Sequence, residues 1–100
     1  MTRSVRVRPQ AEREVEAAFA WYEEQRAGLG REFLRELDVV YERLAKFPLI
    51  YADVYRGLRR THLRRFPIGV FYLVTEAEIR VVAVVHLARN PKVWRDRQPS

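Results

Sequence analysis

Along the first half of the chain apolar side chains recur at helical spacing, and along the second half they recur at the spacing of strands. Val5 and Val7 alternate with Arg6 and Arg8, which predicts a short N-terminal strand with one buried face. Pro9 suits the first turn of a helix, where a missing N–H costs nothing. Ala11, Val15, Ala18, Phe19 and Tyr22 then form a stripe on a helix over about 10–26, with Glu12, Glu14, Glu16, Glu23 and Glu24 on a solvated outer face. Gly28 fits a left-handed residue that ends this helix. Phe33, Leu34, Leu37, Val40, Tyr41, Leu44 and Phe47 make a second and cleaner stripe, which Pro48 stops. Two helices joined by so short a turn must pack as an antiparallel hairpin.

After a loop through Pro48 to Gly57 the period becomes two. Leu58–Arg65, Ile68–Val74 and Ile79–Leu87 read as three strands, with turns at Pro67 and at the polar cluster Thr75–Glu78. Connections this short exclude parallel crossovers, so the three strands form an antiparallel meander. The last of them, IRVVAVVHL, is apolar on nearly both faces and must be central or covered. The fold expected is α+β, in the order β-αα-βββ. An N-terminal strand joins a small antiparallel sheet, and the α-hairpin packs on one face of it. Leu37, Val40 and Leu44 should lie against Val70, Tyr72, Val81 and Val85, all within one domain spanning residues 1–100.

Charge changes the picture more than composition does. Residues 1–50 hold nine basic and nine acidic side chains, whereas residues 51–100 hold ten basic and four acidic, so the whole net charge of +6 falls in the second half. Arginine supplies 17 of the 19 basic residues, and its planar fork suits phosphate or carboxylate better than a lysine does. Such a balance implies an anionic partner: nucleic acid, a nucleoprotein assembly or an acidic protein. The absence of cysteine excludes disulfides, thiol catalysis and thiolate metal sites, and two histidines are too few for a histidine-based zinc enzyme. No metal or cofactor is expected. The longest apolar run, Ala17–Tyr22, is far short of a membrane span, and MTRSVRVRPQ lacks the apolar region of a secretory signal. The expected location is the cytoplasm, with no membrane partner.

Two segments carry candidate chemistry. In GLRRTHLRRF, alternation places Arg60, His62 and Arg64 on one strand face and Arg59, Thr61, Leu63 and Arg65 on the other. Three cationic or potentially cationic groups on one strand face repel one another, so they make most sense facing an anion. In HLARNPKVW and the residues after it, Arg89, Lys92, Arg95 and Arg97 add charge. Trp94 either stacks on a base or anchors a partner, or else folds back over the sheet edge. His86, inside an apolar run, reads as a structural residue. No phosphate loop, dinucleotide fingerprint, zincin, serine-hydrolase elbow or paired-carboxylate motif occurs.

Three segments, WYEEQRAGLGREFLRELDVVYERLAKFP, LRRTHLRRFPIGVFYLV and VVAVVHLARNPKVWRDR, together resemble the toxins of the RelE/ParE superfamily, in particular the ParE-like plasmid-stabilisation branch. The resemblance spans nearly the whole chain in the right order. It implies a type II toxin–antitoxin system in which a small acidic antitoxin, often of ribbon-helix-helix type, wraps the toxin with an extended tail. RelE-like members cleave messenger RNA on the ribosome, whereas ParE-like members inhibit DNA gyrase without nuclease chemistry. Against the nuclease pattern, Arg60 and His62 fall on two functional basic positions, Arg89 near a C-terminal arginine and Trp94 near a functional tyrosine. Gly69 stands where the nucleases carry a strand arginine. A glycine cannot stabilise developing charge and an indole has no phenolic O–H. The reading that follows is a gyrase inhibitor whose target- or anion-binding set is Arg60, His62, Arg64, Arg89, Lys92, Trp94, Arg95 and Arg97. The alternatives are a ribosome-dependent endoribonuclease using Arg60, His62, Arg89 and Trp94, and a non-toxic antitoxin-binding or regulatory module.

Overall fold

A computed structural model describes residues 2–97. Strand β1 (Ser4–Val7) leads into helices α1 (Pro9–Gln25) and α2 (Leu29–Lys46). Strands β2 (Asp53–Tyr55), β3 (Leu58–His62), β4 (Ile68–Val74) and β5 (Glu78–His86) follow, and a single turn of helix, α3 (Lys92–Arg95), comes last. The sheet order is β1-β5-β4-β3-β2, and the hairpin covers one face. The fold is α+β, as the periodicity predicts.

The two helices turn on Gly28, whose φ of 89° is open to glycine and costly for other residues. Gly28 caps the start of α2 rather than the end of α1. Glu23 completes the turn: its carboxylate accepts the Gly28 and Gly30 N–H groups at 3.2 and 2.8 Å. Those backbone donors hold Glu23 below the ordinary carboxylate pKa, so it is a capping group and not part of a merely solvated face. Helix α1 reaches α2 at Gly30, where any Cβ would lie 2.8 Å from the Phe19 carbonyl oxygen.

The expected antiparallel meander is present as β3-β4-β5, but the sheet around it departs from an all-antiparallel one in two ways. β1 pairs in parallel with β5, from Ser4 opposite Glu78 to Val7 opposite Val81, because the hairpin acts as a crossover. A short extra strand, β2, lies within the expected Pro48–Gly57 loop. It pairs with β3 through a turn in which Arg56 and Gly57 both have positive φ (47° and 86°), a hairpin geometry usually signalled by Asn-Gly.

A bulge decides which β5 residues meet the hairpin. Phe71 pairs with Ala83 and Tyr72 with Val81, leaving Val82 as the extra residue. Alternation therefore changes phase, and Val84 joins Val70, Tyr72, Val81, Leu37, Val40 and Leu44 in the main core. Val85, expected beneath the hairpin, belongs to the opposite face with Leu58, Phe71, Val82, Ala83 and Trp94. The sheet thus has an apolar layer on both sides, the smaller one closed by α3.

Candidate interaction surface

The outer face, away from the hairpin, starts at β3. Leu58 is buried there, and alternation carries Arg60 and His62 onto the same side, opposite Phe71 and Gly69 of β4. Both Arg60 and His62 are exposed. Among the described residues no side chain pairs with the Arg60 guanidinium. His62 donates from Nδ1 to the Leu63 carbonyl at 2.9 Å, so its neutral ring presents Nε2 as an acceptor. This pair of residues is the part of the expected cationic row that the structure brings together.

Arg64 leaves the row. β3 stops at His62, and the chain turns away from the outer face through residues 63–66. Leu63 enters the hairpin core at 2 % exposure, as the alternation of Thr61 and Leu63 requires. Glu36 of α2 holds the turn by accepting the Arg64 and Arg65 N–H groups and the Arg65 Nε–H. Arg64 and Arg65 therefore line a groove beside α2 with Glu32, Arg35, Glu36 and Val39.

The C-terminal segment divides as well. Trp94 is 8 % exposed and stacks on Phe71, with ring centroids 4.3 Å apart and planes 22° apart. Arg95 lies over Tyr55 of β2 at 5.2 Å from the ring centroid, and Arg56 lies over the same ring at the same distance. Lys92 is exposed at the start of α3. Arg97 turns inward, where it pairs with Glu14 of α1 at 2.8 Å and donates to the Val82 carbonyl at 3.2 Å. Glu14 also accepts the Val84 N–H at 3.1 Å. Together they occupy backbone groups on β5 beyond the last residue that β1 covers. Trp94 and Arg97 thus pack inward, while Arg60, His62, Lys92 and Arg95 stay outside.

Gly69, opposite His62, is closely packed. A Cβ placed there would lie 2.8 Å from Leu87 Cδ2 and 3.1 Å from Phe71 Cε1. The Leu87 side chain, itself 41 % exposed, lies over this position.

Arg89 sits elsewhere. It lines a cleft of about 430 Å³ with Glu14, Ala18, Trp21, Tyr22, Ile68, Val84, Val85 and His86. The sequence signal for this cleft was Trp21, a large aromatic outside the helical stripe, left 57 % exposed. Among the described residues no group of three His, Asp or Glu side chains could hold a metal ion, and no helix is long and apolar enough to cross a membrane.

The described residues thus form an α-hairpin on a mixed five-stranded sheet, with exposed basic side chains around an apolar outer face. The profile of the "ParE toxin of type II toxin-antitoxin system, parDE" matches residues 5–91, and the chain belongs to this family. It is 30 % identical over 92 residues to Toxin ParE2 of Mycobacterium tuberculosis, in both the CDC 1551 / Oshkosh and the ATCC 25618 / H37Rv strains. Each match covers 91 % of this chain and 88 % of the relative. The fold is similar to a solved chain described as "Chromosomal ParDE TA system from P. aeruginosa", with a TM-score of 0.75 and 16 % identity, over 85 % of this chain and 96 % of that one.

Proposed function

We propose that this ParE-family toxin acts in the cytoplasm by binding and inhibiting DNA gyrase, and that an acidic antitoxin of ribbon-helix-helix type keeps it silent. The observation that supports the reading is Gly69 itself, which places no charged donor opposite His62 on the neighbouring strand. Losing one preorganised donor costs about 10²–10³ in rate, so the outer face is poorly equipped for cleavage. Binding needs only affinity. Arg60, His62, Lys92 and Arg95 supply exposed cationic or hydrogen-bonding groups around an apolar base, while Arg64 and Arg89 offer their charge in separate clefts. The antitoxin is supported by the charge of +6 and by the similar fold of a chain solved as part of a ParDE system.

One observation favours the second reading, a ribosome-dependent endoribonuclease. Arg60 and His62 stand two residues apart on β3, both exposed, and with Nδ1 of His62 bonded to the Leu63 carbonyl its Nε2 is the ring's remaining nitrogen. Two assays on the purified protein separate the readings. Inhibition of gyrase supercoiling with ribosome-bound messenger RNA left intact supports the proposal. Cleavage of that RNA with gyrase unaffected overturns it in favour of the nuclease. Activity in neither assay, with antitoxin binding retained, leaves the non-toxic regulatory module.

A further inference from the structure

At the β1 edge of the sheet three arginines converge on one carboxylate. β1 pairs with β5 so that Arg6 stands beside Arg80. Val5, Val7, Ile79 and Val81 pack beneath the hairpin, and alternation therefore turns Arg6 and Arg80 to the outer face. Arg8, two residues past Arg6, joins them in a polar cleft of about 440 Å³ that Glu78 completes. The backbone of Glu78 is fixed by bonds of its N–H and carbonyl to Thr75.

The way Glu78 is bonded separates this cleft from a scatter of surface charge. Its carboxylate accepts the Arg80 Nε–H at 2.6 Å and lies 3.9 Å from the Arg6 Nε, so both contacts engage the inner nitrogen of the guanidinium. The four terminal N–H donors of each group stay available. Arg8 has no side-chain partner among the described residues. The Arg80 hydrogen bond, followed by the charges of Arg6, Arg80 and Arg8, holds Glu78 below the ordinary carboxylate pKa despite desolvation, so it is ionised at neutral pH. Three guanidiniums around one carboxylate leave an excess of two positive charges.

Planar forks set side by side with their outer donors free suit the paired oxygens of phosphate. Two consecutive phosphodiesters match the excess charge. Arg60 on β3 and Arg95 over Tyr55 of β2 place further cations towards the opposite edge of the sheet, so a polyanion crossing from β1 meets positive charge at both ends.

We infer that Arg6, Arg8 and Arg80, oriented by Glu78, form a clamp for the backbone phosphates of duplex DNA. The choice of DNA rests on the gyrase reading above, because the proposed target is itself bound to DNA. Glu78 is a positioning residue: it touches no phosphate and sets the direction of two forks.

The test is fluorescence anisotropy of a short labelled DNA duplex with the full purified chain over a range of salt concentrations. Arg6→Ala and Arg8→Ala each weaken binding about three- to tenfold and reduce the salt slope by about one. Arg35→Ala, an exposed position on α2 outside the cleft, changes affinity less than about twofold. Glu78→Gln separates a clamp from diffuse attraction. Removing an acid tightens diffuse binding to DNA, whereas loss of the clamp geometry weakens binding although the net positive charge rises. Arg80→Lys, which keeps the charge but not the fork, weakens it too. Thermal melts within a few degrees of the parent show that each variant is folded.

Tighter binding by Glu78→Gln, or equal effects of Arg6→Ala and Arg35→Ala, overturns the clamp. Unchanged DNA affinity in the Arg6 and Arg8 variants, with weaker binding of the acidic antitoxin, overturns it in favour of that protein. Preference for an RNA duplex of the same sequence overturns the choice of DNA. The binding assay contains no gyrase, so inhibition of supercoiling that persists in these variants leaves the gyrase reading standing when the clamp fails.

Discussion

The indole of Trp94 lies flat on the ring of Phe71, 4.3 Å away, and through that contact a single turn of helix closes the second face of the sheet. Phe71 is 2 % exposed, although it lies on the face away from the hairpin. Without Trp94 that face would present Leu58, Phe71, Val82, Ala83 and Val85 to solvent, an apolar patch of the kind soluble chains avoid. The tryptophan therefore acts as a structural lid, and the arginines around it gain a fixed base.

Trp94→Ala should destabilise the protein by about 3–5 kcal/mol, whereas Trp94→Phe should retain much of the stacking. Chemical denaturation of the two variants checks this. Equal, small losses would show that the stack contributes little.

The ion pair of Glu14 and Arg97 ties α1 to the chain end across β5. Each side chain is mostly buried (20 % and 13 % exposed), and each also bonds β5 backbone. Glu14→Ala and Arg97→Ala should each cost about 1–3 kcal/mol, and the double variant should cost less than their sum by about 1 kcal/mol. A double-mutant cycle measures this. Simple additivity would mean that the two residues act independently.

Leu37, 2 % exposed, sits where α2 meets the sheet. Leu37→Ala should cost about 2–5 kcal/mol, while Val39→Ala, on the exposed side of the same helix, should cost less than about 0.5 kcal/mol. Comparison of urea midpoints for the two variants tests the docking face directly.

Acid should weaken the fold through a small set of carboxylates. Hydrogen bonds from the Gly28 N–H to Glu23, from Arg26 to Glu32 and from Arg80 to Glu78 hold these groups below the ordinary carboxylate pKa. At Glu36 burial acts in the opposite direction, but donors from Arg65 and Arg64 prevail and the pKa is again lowered. Depressed folded-state values mean that the stabilisation is complete above about pH 4.5 and is lost as pH falls through the lowered values. Melting temperature should therefore fall steadily between about pH 5 and pH 3, and Glu23→Gln should make the decline shallower. A flat profile over that range would contradict the assigned hydrogen bonds.

Much of the architecture is legible in the chain because local periodicity and core burial agree. The stripe from Phe33 to Leu44 allows only one face to be buried, and Pro9 and Gly28 mark where the helices begin and turn. The alternation of Arg60 and His62 likewise puts both on one face whatever the sheet's neighbours are. Charge asymmetry, too, is a property of the sequence alone.

Other features depend on contacts between distant residues, which no local pattern encodes. Val85 faces away from the hairpin because a bulge at Val82 shifts the phase of β5, and a bulge is set by strand pairing rather than by side-chain order. Arg64 leaves the cationic row because Glu36, on a helix 28 residues earlier, captures the turn after His62. Trp94 and Arg97 have the composition of a binding tail, yet Phe71, Glu14 and the Val82 carbonyl draw them inward. Residue type and spacing thus determine which face each element can bury. Only the assembled tertiary structure decides which charged and aromatic groups are consumed in holding it together, because desolvation and pairing depend on the neighbour that folding delivers.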